Sequence, residues 1–230
     1  LFATSSIETI VDASGTYSVL PPAVNHPPVV QNVLLSATED GLTVTGAFAG
    51  DDSDADDNPT TLHYTITSQP IEGSVVNNND GTFSFSPVSG FQDLAEGAMR
   101  QVAFTYTATD SHGAVSNTGT VSVTVTGVND APVITSGPQS SSVSEGDGQP
   151  ASAKSATGQV TFTDVDSSDS HTLSVSVAAA HGTASIDPDG TWHYTVSDSG
   201  AVDALAAGEH LADSFTVRVD DHNGGIAAQT

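Results

Sequence analysis

Cysteine is absent from this chain, which removes disulfides, thiolate catalysis and cysteine-ligated metal sites together. Cationic residues are almost as scarce. Lys and Arg number 3 against 28 Asp and Glu, and the formal net charge is −25. A chain this acidic repels phosphate backbones and anionic lipid, so nucleic acid is excluded as a partner. No run of 18 apolar residues occurs, and no membrane insertion is expected. Neither an initiator Met nor a basic-then-apolar leader opens the sequence, which therefore reads as a mature form or a piece of something longer. Helical periodicity is missing too, since LAEGAM (94–99) and ALAAGEH (204–210) each offer about one turn. The 8 histidines make no HExxH and no zinc-like spacing, and GxSxG, P-loop and GxGxxG motifs are all absent. No enzyme is expected.

What the chain does have is patterned. Acidity alone can signal disorder, but here it collects in GDDSDADDN (50–58), TDVDSSDS (163–170) and VDDHN (219–223). Between these clusters run FTYTA (104–108), TVSVTVT (120–126), HTLSVSV (171–177) and FTVRV (215–219). They alternate apolar with Ser or Thr at period two and favour β-branched residues, as half-buried strands do. Turn signals separate them, notably Asn79-Asp80-Gly81 before TFSF and Asp189-Gly190 before TWHY. The chain reads as folded and all-β.

Its 230 residues suit two domains of about 100 residues each, and internal repetition agrees. NDGTFSF (79–85) aligns with PDGTWHY (188–194), and LAEGAMRQVAF (94–104) with LAAGEHLADSF (205–215). FTYTATDSHGAV (104–115) aligns with FTVRVDDHNGGI (215–226), which sets Asp110 opposite Asp221. The linker-like VNHPPVV (24–30) returns as VNDAPVI (128–134). The expected architecture is two tandem immunoglobulin- or cadherin-like Greek-key β-sandwiches preceded by an extra N-terminal strand. The expected boundaries are a strand segment in 1–24, a first module in 25–128 and a second in 129–230.

GVNDAP (127–132), AAAHGTASIDPDGTWHYTV (178–196) and ALAAGEHLADSFTVRVDDHNGG (204–225) resemble a VCBS repeat. GSVVNNNDGTFSFSP (73–87) with FTYTATDSHG resembles the related cadherin-like repeats. The resemblance, over residues 15 to 230, is to repeats of secreted adhesins of Gram-negative bacteria. It implies calcium between modules, an extracellular or cell-surface location and no catalysis.

Ca²⁺ takes six to eight hard oxygen ligands, often carboxylates gathered from several loops. In a sandwich of the assumed order, the second module would supply Asp164, Asp166 and Asp221 at one pole, with Asn129 and Asp130 from the linker and Glu39 from the preceding module. Asp54, Asp56 and Asp110 would serve the first module, where Asp51, Asp52 and Asp57 crowd the same loop. That linker reads Asn25-His26 in place of Asn129-Asp130, so a weaker or incomplete site is expected. An EF-hand does not fit, because Asp57 stands where Gly is needed and His63 where Glu is needed.

One end feature remains. GTYSVLPPAVNHPPVV (15–30) aligns without gaps on GTVSVTVTGVNDAPVI (119–134), with 8 of 16 positions identical. Residues 15–24 thus read as the last strand of a missing or neighbouring module, while the second module stops just before that strand. Either a tandem array is cut at arbitrary points, or one copy lends its strand to the next. The expected function is a calcium-stiffened building block of a bacterial surface fibre or adhesin, partnered by neighbouring modules or by copies of itself head to tail. Two other readings stay open. A carbohydrate-binding adhesion module would need an exposed aromatic such as Trp192 near calcium to meet a cell-surface glycan receptor, and the other reading is an accessory domain of a secreted hydrolase.

Overall fold

The computed structural model describes residues 9–12, 15–18, 24–54, 60–87, 90–144, 154–197 and 199–230. Its strands are β1 (Thr9–Asp12), β2 (Gly15–Ser18), β3 (Val29–Val30), β4 (Val33–Thr38), β5 (Val44–Ala47), β6 (Gly50–Asp51), β7 (His63–Ile66), β8 (Ser74–Asn77), β9 (Thr82–Ser86), β10 (Met99–Thr109) and β11 (Gly119–Thr126). There follow β12 (Val133–Ile134), β13 (Ser155–Gln159), β14 (Phe162–Thr163), β15 (Thr172–Val177), β16 (Gly182–Ile186), β17 (Thr191–Val196), β18 (Thr216–Asp220) and β19 (Ile226–Gln229). One short helix, α1 (Ser199–Asp203), interrupts them. Neither LAEGAM nor ALAAGEH is helical. Among the described residues no helix is long and apolar enough to cross a membrane.

Two sheets recur in both halves, and the largest has four strands in the first half where its counterpart in the second has three. In the first half the orders are β4-β11-β10-β7, β5-β9-β8 and β3-β6; in the second they are β15-β18-β19, β13-β17-β16 and β12-β14. Both sequence-predicted turns close hairpins, β8–β9 and β16–β17. At the second, Gly190 sits at φ 88°, a left-handed conformation that side chains disfavour, and the Asp189 carboxylate accepts the Thr191 N–H at 2.9 Å. In the N-terminal segment, Gly15–Ser18 pairs antiparallel with Thr9–Asp12.

Period-two burial explains the core of the first half. β9 buries Phe83 and Phe85, and β11 buries Val121, Val123 and Val125, all at 0 % exposure. The Phe83 ring meets Phe104 edge-on across the two sheets, with centroids 5.1 Å apart, a favoured aromatic geometry. The Tyr106 hydroxyl donates to the Gln31 carbonyl at 2.6 Å and accepts the Ala49 N–H at 3.1 Å, so its polar end is satisfied inside the core. In the second half Trp192 packs on Phe215 at 5.5 Å, above Val160 and Val217.

Cα proximity divides the chain into two compact units. One holds Leu1–Leu35, Thr43–Ser86 and Gln101–Thr124; the other holds Ser36–Leu42, Pro87–Arg100 and Val125–Thr230. Glu39 therefore belongs to the same unit as the whole stretch from residue 125 onward.

Candidate cation site

Asp and Asn make loops that fold back on their own backbone, and this builds the acidic pole of the second unit. The Asp221 carboxylate accepts the N–H groups of Asn223 (2.8 Å) and Gly225 (2.9 Å) through one oxygen. Its other oxygen accepts Asn129 Nδ2 at 3.0 Å. A Cβ at Gly225 would strike this carboxylate and the Ala131 backbone, so only glycine lets the loop close so tightly. Burial raises the Asp221 pKa, but these hydrogen bonds outweigh it and the carboxyl titrates low. The loop at 164–169 repeats the device. The Asp166 N–H donates to Asp164 Oδ1 at 3.1 Å, and His171 Nε2 lies 2.8 Å from Asp164 Oδ2.

Glu39 enters from the end of β4. Its Oε1 accepts the Val128 N–H at 2.6 Å, and Asp166 Oδ2 accepts the Asp130 N–H at 2.8 Å. Each carboxylate thus spends one oxygen on the linker backbone and turns the other inward. Glu39 Oε2, Asp130 Oδ2 and Asp166 Oδ1 are buried without any hydrogen-bond partner, as is Asn129 Oδ1. Glu39 is 3 % exposed and Asp166 1 %. One ligand atom from each of Glu39, Asp130 and Asp166 lies within 4.8 Å of the others. Desolvation, reinforced by the neighbouring carboxylates, pushes all three pKa values up. A second trio, Asp164, Asp169 and Asp221, meets the same distance limit beside it. Asp169, absent from the expected ligand set, reaches this trio while its Oδ2 accepts Asn223 Nδ2 at 2.8 Å.

Unpartnered buried carboxylates are costly unless paired with cations. The donors here are all hard oxygens drawn from several loops, the chemistry that calcium takes and that zinc or copper sites do not favour.

The family model for the bacterial cadherin-like domain matches residues 25–127 and again 129–230. The chain belongs to that family. Among solved structures the cadherin-like fold recurs at low identity. A protocadherin fragment, PcdhgB3 EC1-4, aligns with TM-score 0.52 and 12 % identity, over 94 % of this chain and 51 % of its own. Protocadherin gamma C5 EC1-3 aligns with TM-score 0.50 and 14 % identity, over 93 % of this chain and 69 % of its own. An endo-fucoidan hydrolase of glycoside hydrolase family 107 is covered over only 33 % of its length, at TM-score 0.35. That value carries no argument about chemistry. No curated protein sequence matches.

The first cadherin-like module carries the same hydrogen-bond skeleton. Asn25 Nδ2 donates to Asp110 Oδ2 at 3.1 Å, and Asp110 Oδ1 accepts the N–H groups of His112 and Ala114. The His26 N–H donates to Asp54 Oδ2 at 2.6 Å, as Asp130 does to Asp166. The Asp54 N–H donates to Asp52 Oδ1 at 2.9 Å, so Asp52 and Asp54 take the geometry of Asp164 and Asp166. Asp56, also expected there, lies outside the described residues. Asp52 Oδ2 is buried without a partner. One contact has no counterpart in the second module. His26 Nδ1 sits 2.8 Å from Asp54 Oδ1, the oxygen equivalent to the orphan on Asp166. This hydrogen bond raises the His26 pKa.

Trp192, the candidate sugar platform, is 5 % exposed.

Proposed function

We propose that this cadherin-like chain is a non-enzymatic, calcium-stiffened structural element of a bacterial extracellular adhesin or surface fibre. Cadherin-like domains are extracellular adhesive and structural modules that generally bind calcium and form tandem arrays, which supports the class. The observation that carries the calcium reading is that Glu39, Asp130 and Asp166 bring carboxylate oxygens within 4.8 Å of one another while each keeps one buried oxygen without a partner. A divalent cation there would answer three desolvated carboxylates at once and tie residues 36–42 to the linker and to the 164–169 loop. The Asp164–Asp169–Asp221 trio would hold a second ion. Such ions would fix these segments of the second unit against one another, which suits a load-bearing or spacing role. Neighbouring modules, or further copies of the chain joined head to tail, are the partners of such an element.

Calorimetric titration of the protein with Ca²⁺ tests the reading. Loss of one binding event in Asp166→Ala, with the fold retained by circular dichroism, is the expected result. Equal heats from the wild type and this variant would reject it.

A further inference from the structure

The turn between β18 and β19 carries a chemistry that cation binding does not use. Asn223-Gly224 is the one Asn-Gly pair in the sequence. Asn is thermolabile, and glycine after it offers a backbone nitrogen that no Cβ shields. Both residues are exposed, and Gly224 sits at φ 110°, a conformation that side chains disfavour. The equivalent pair in the first module is His112-Gly113, which has no side-chain amide to lose. Asn223 is also tied to the acidic pole. Its N–H donates to Asp221 Oδ1 at 2.8 Å, and its Nδ2 donates to Asp169 Oδ2 at 2.8 Å. Asp169 and Asp221 belong, with Asp164, to the second carboxylate trio.

We propose that Asn223 is a self-modification site, converted to Asp and isoaspartate through a cyclic imide, and that a cation held by Asp169 and Asp221 restrains the conversion. In the first step the Gly224 nitrogen bonds to Asn223 Cγ and the Cγ–Nδ2 bond breaks. Nδ2 leaves as ammonia, its third hydrogen replacing through solvent the one that the Gly224 nitrogen gives up. Water then opens the imide. Attack at Cγ yields Asp, and attack at the main-chain carbonyl yields isoaspartate, whose backbone runs through the former side chain. Ring closure requires Cγ to swing onto the Gly224 nitrogen, so Nδ2 must first leave Asp169. Loop opening is therefore the gate. With calcium at a hundredfold excess over its dissociation constant, an opening that releases the ion is suppressed about a hundredfold. The two products act in opposite directions on the pole. Asp sets a carboxylate beside Asp169, a further hard oxygen for a divalent cation. Isoaspartate lengthens the backbone by a methylene next to Gly225, where an added Cβ would already strike the Asp221 carboxylate and the Ala131 backbone. The restraint rests on the proposed calcium reading; the cyclisation does not.

The full chain is incubated at neutral pH in calcium and in EGTA, then cut by trypsin after Arg218. The fragment that begins at Val219 is followed by mass spectrometry for the exchange of NH for O, and by chromatography that separates Asp from isoaspartyl forms. A synthetic VDDHNGGIA peptide supplies the unrestrained rate. The expected result is conversion in EGTA, slowed by up to about a hundredfold in calcium and absent from Asn223→Gln. No conversion in EGTA while the free peptide converts overturns the site, as does an unchanged exchange in Asn223→Gln. Equal rates in both buffers, in a protein whose calcium heats are present, overturn the restraint alone. Equal rates without such heats reject the calcium reading as well.

Discussion

Asp54 and Asp166 occupy equivalent places in two copies of one scaffold, yet they face different neighbours. Around Asp166 the linker contributes Asp130, and each carboxylate keeps one buried oxygen without a hydrogen-bond partner. Around Asp54 it contributes His26, whose ring nitrogen sits on the oxygen that the other copy leaves open. The backbone N–H to carboxylate bond is the same in both. The linker side chain thus differs between the poles, a carboxylate at one and at the other an imidazole that partners Asp54. The halves differ in their cores as well. In the first Phe104 is 1 % exposed, while in the second its counterpart Phe215 is half-buried beside a groove of about 690 Å³ that Tyr194 also lines.

The core contrast gives the largest expected effect. Phe104→Ala removes a fully buried ring and should cost about 3–5 kcal/mol. Phe215→Ala removes a half-exposed one and should cost about 1–2 kcal/mol. Scanning calorimetry that resolves two transitions checks this, and equal losses would erase the difference between the halves. Next comes chelation. A site held at a hundredfold excess of calcium over its dissociation constant contributes about 2.7 kcal/mol, which for a 100-residue domain is about 10–20 °C in melting temperature. EGTA should lower one transition by that order, Asp166→Ala should remove the share of the response that its site supplies, and Asp54→Ala should leave most of it.

Exchanging the distinguishing residue should have a smaller effect. His26→Asp puts at the first pole the linker carboxylate that the second pole has and should tighten calcium binding there about tenfold, or about 1.4 kcal/mol. Asp130→His should weaken the other pole, and titration calorimetry on both variants reads the exchange.

The smallest effect is in pH. Glu39, Asp130 and Asp166 have raised pKa values, so in EGTA their ionisation opposes folding. The protonated stability is present at low pH and is lost as pH rises through their raised range. With calcium present the sign reverses, since protons displace the ion as pH falls through that range. His26 is raised as well, so its pairing with Asp54 is present below the usual imidazole range and fades as pH climbs through its raised pKa. The calcium-dependent melting shift should therefore shrink on acidification, while His26→Ala should matter more at pH 6 than at pH 8.

Strands and hairpins were legible because their causes are local. Alternating β-branched residues bury one face wherever the chain is extended, and Asp189-Gly190 turns the chain through its own side chain and a left-handed glycine. The repeat was equally plain, because both modules place the same residue types at the same spacing. The acidic candidates could be named from their loops, since Asp at i and i+2 caps its own turn. Which oxygens remain free could not be read that way. Glu39 Oε2 is an orphan only because Val128, 89 residues on, donates its N–H to Oε1. Asp166 Oδ1 is an orphan only because Asp130 spends its N–H on Oδ2. The composition of the chain determined an acidic, all-β tandem repeat rich in hard oxygen donors. Tertiary structure decided which donors converge, that Asp52 joins Asp54, that Asp169 comes within reach of Asp221, and that a groove opens beside Trp192. Those outcomes depend on backbone hydrogen bonds and packing between segments tens of residues apart, which no local pattern encodes.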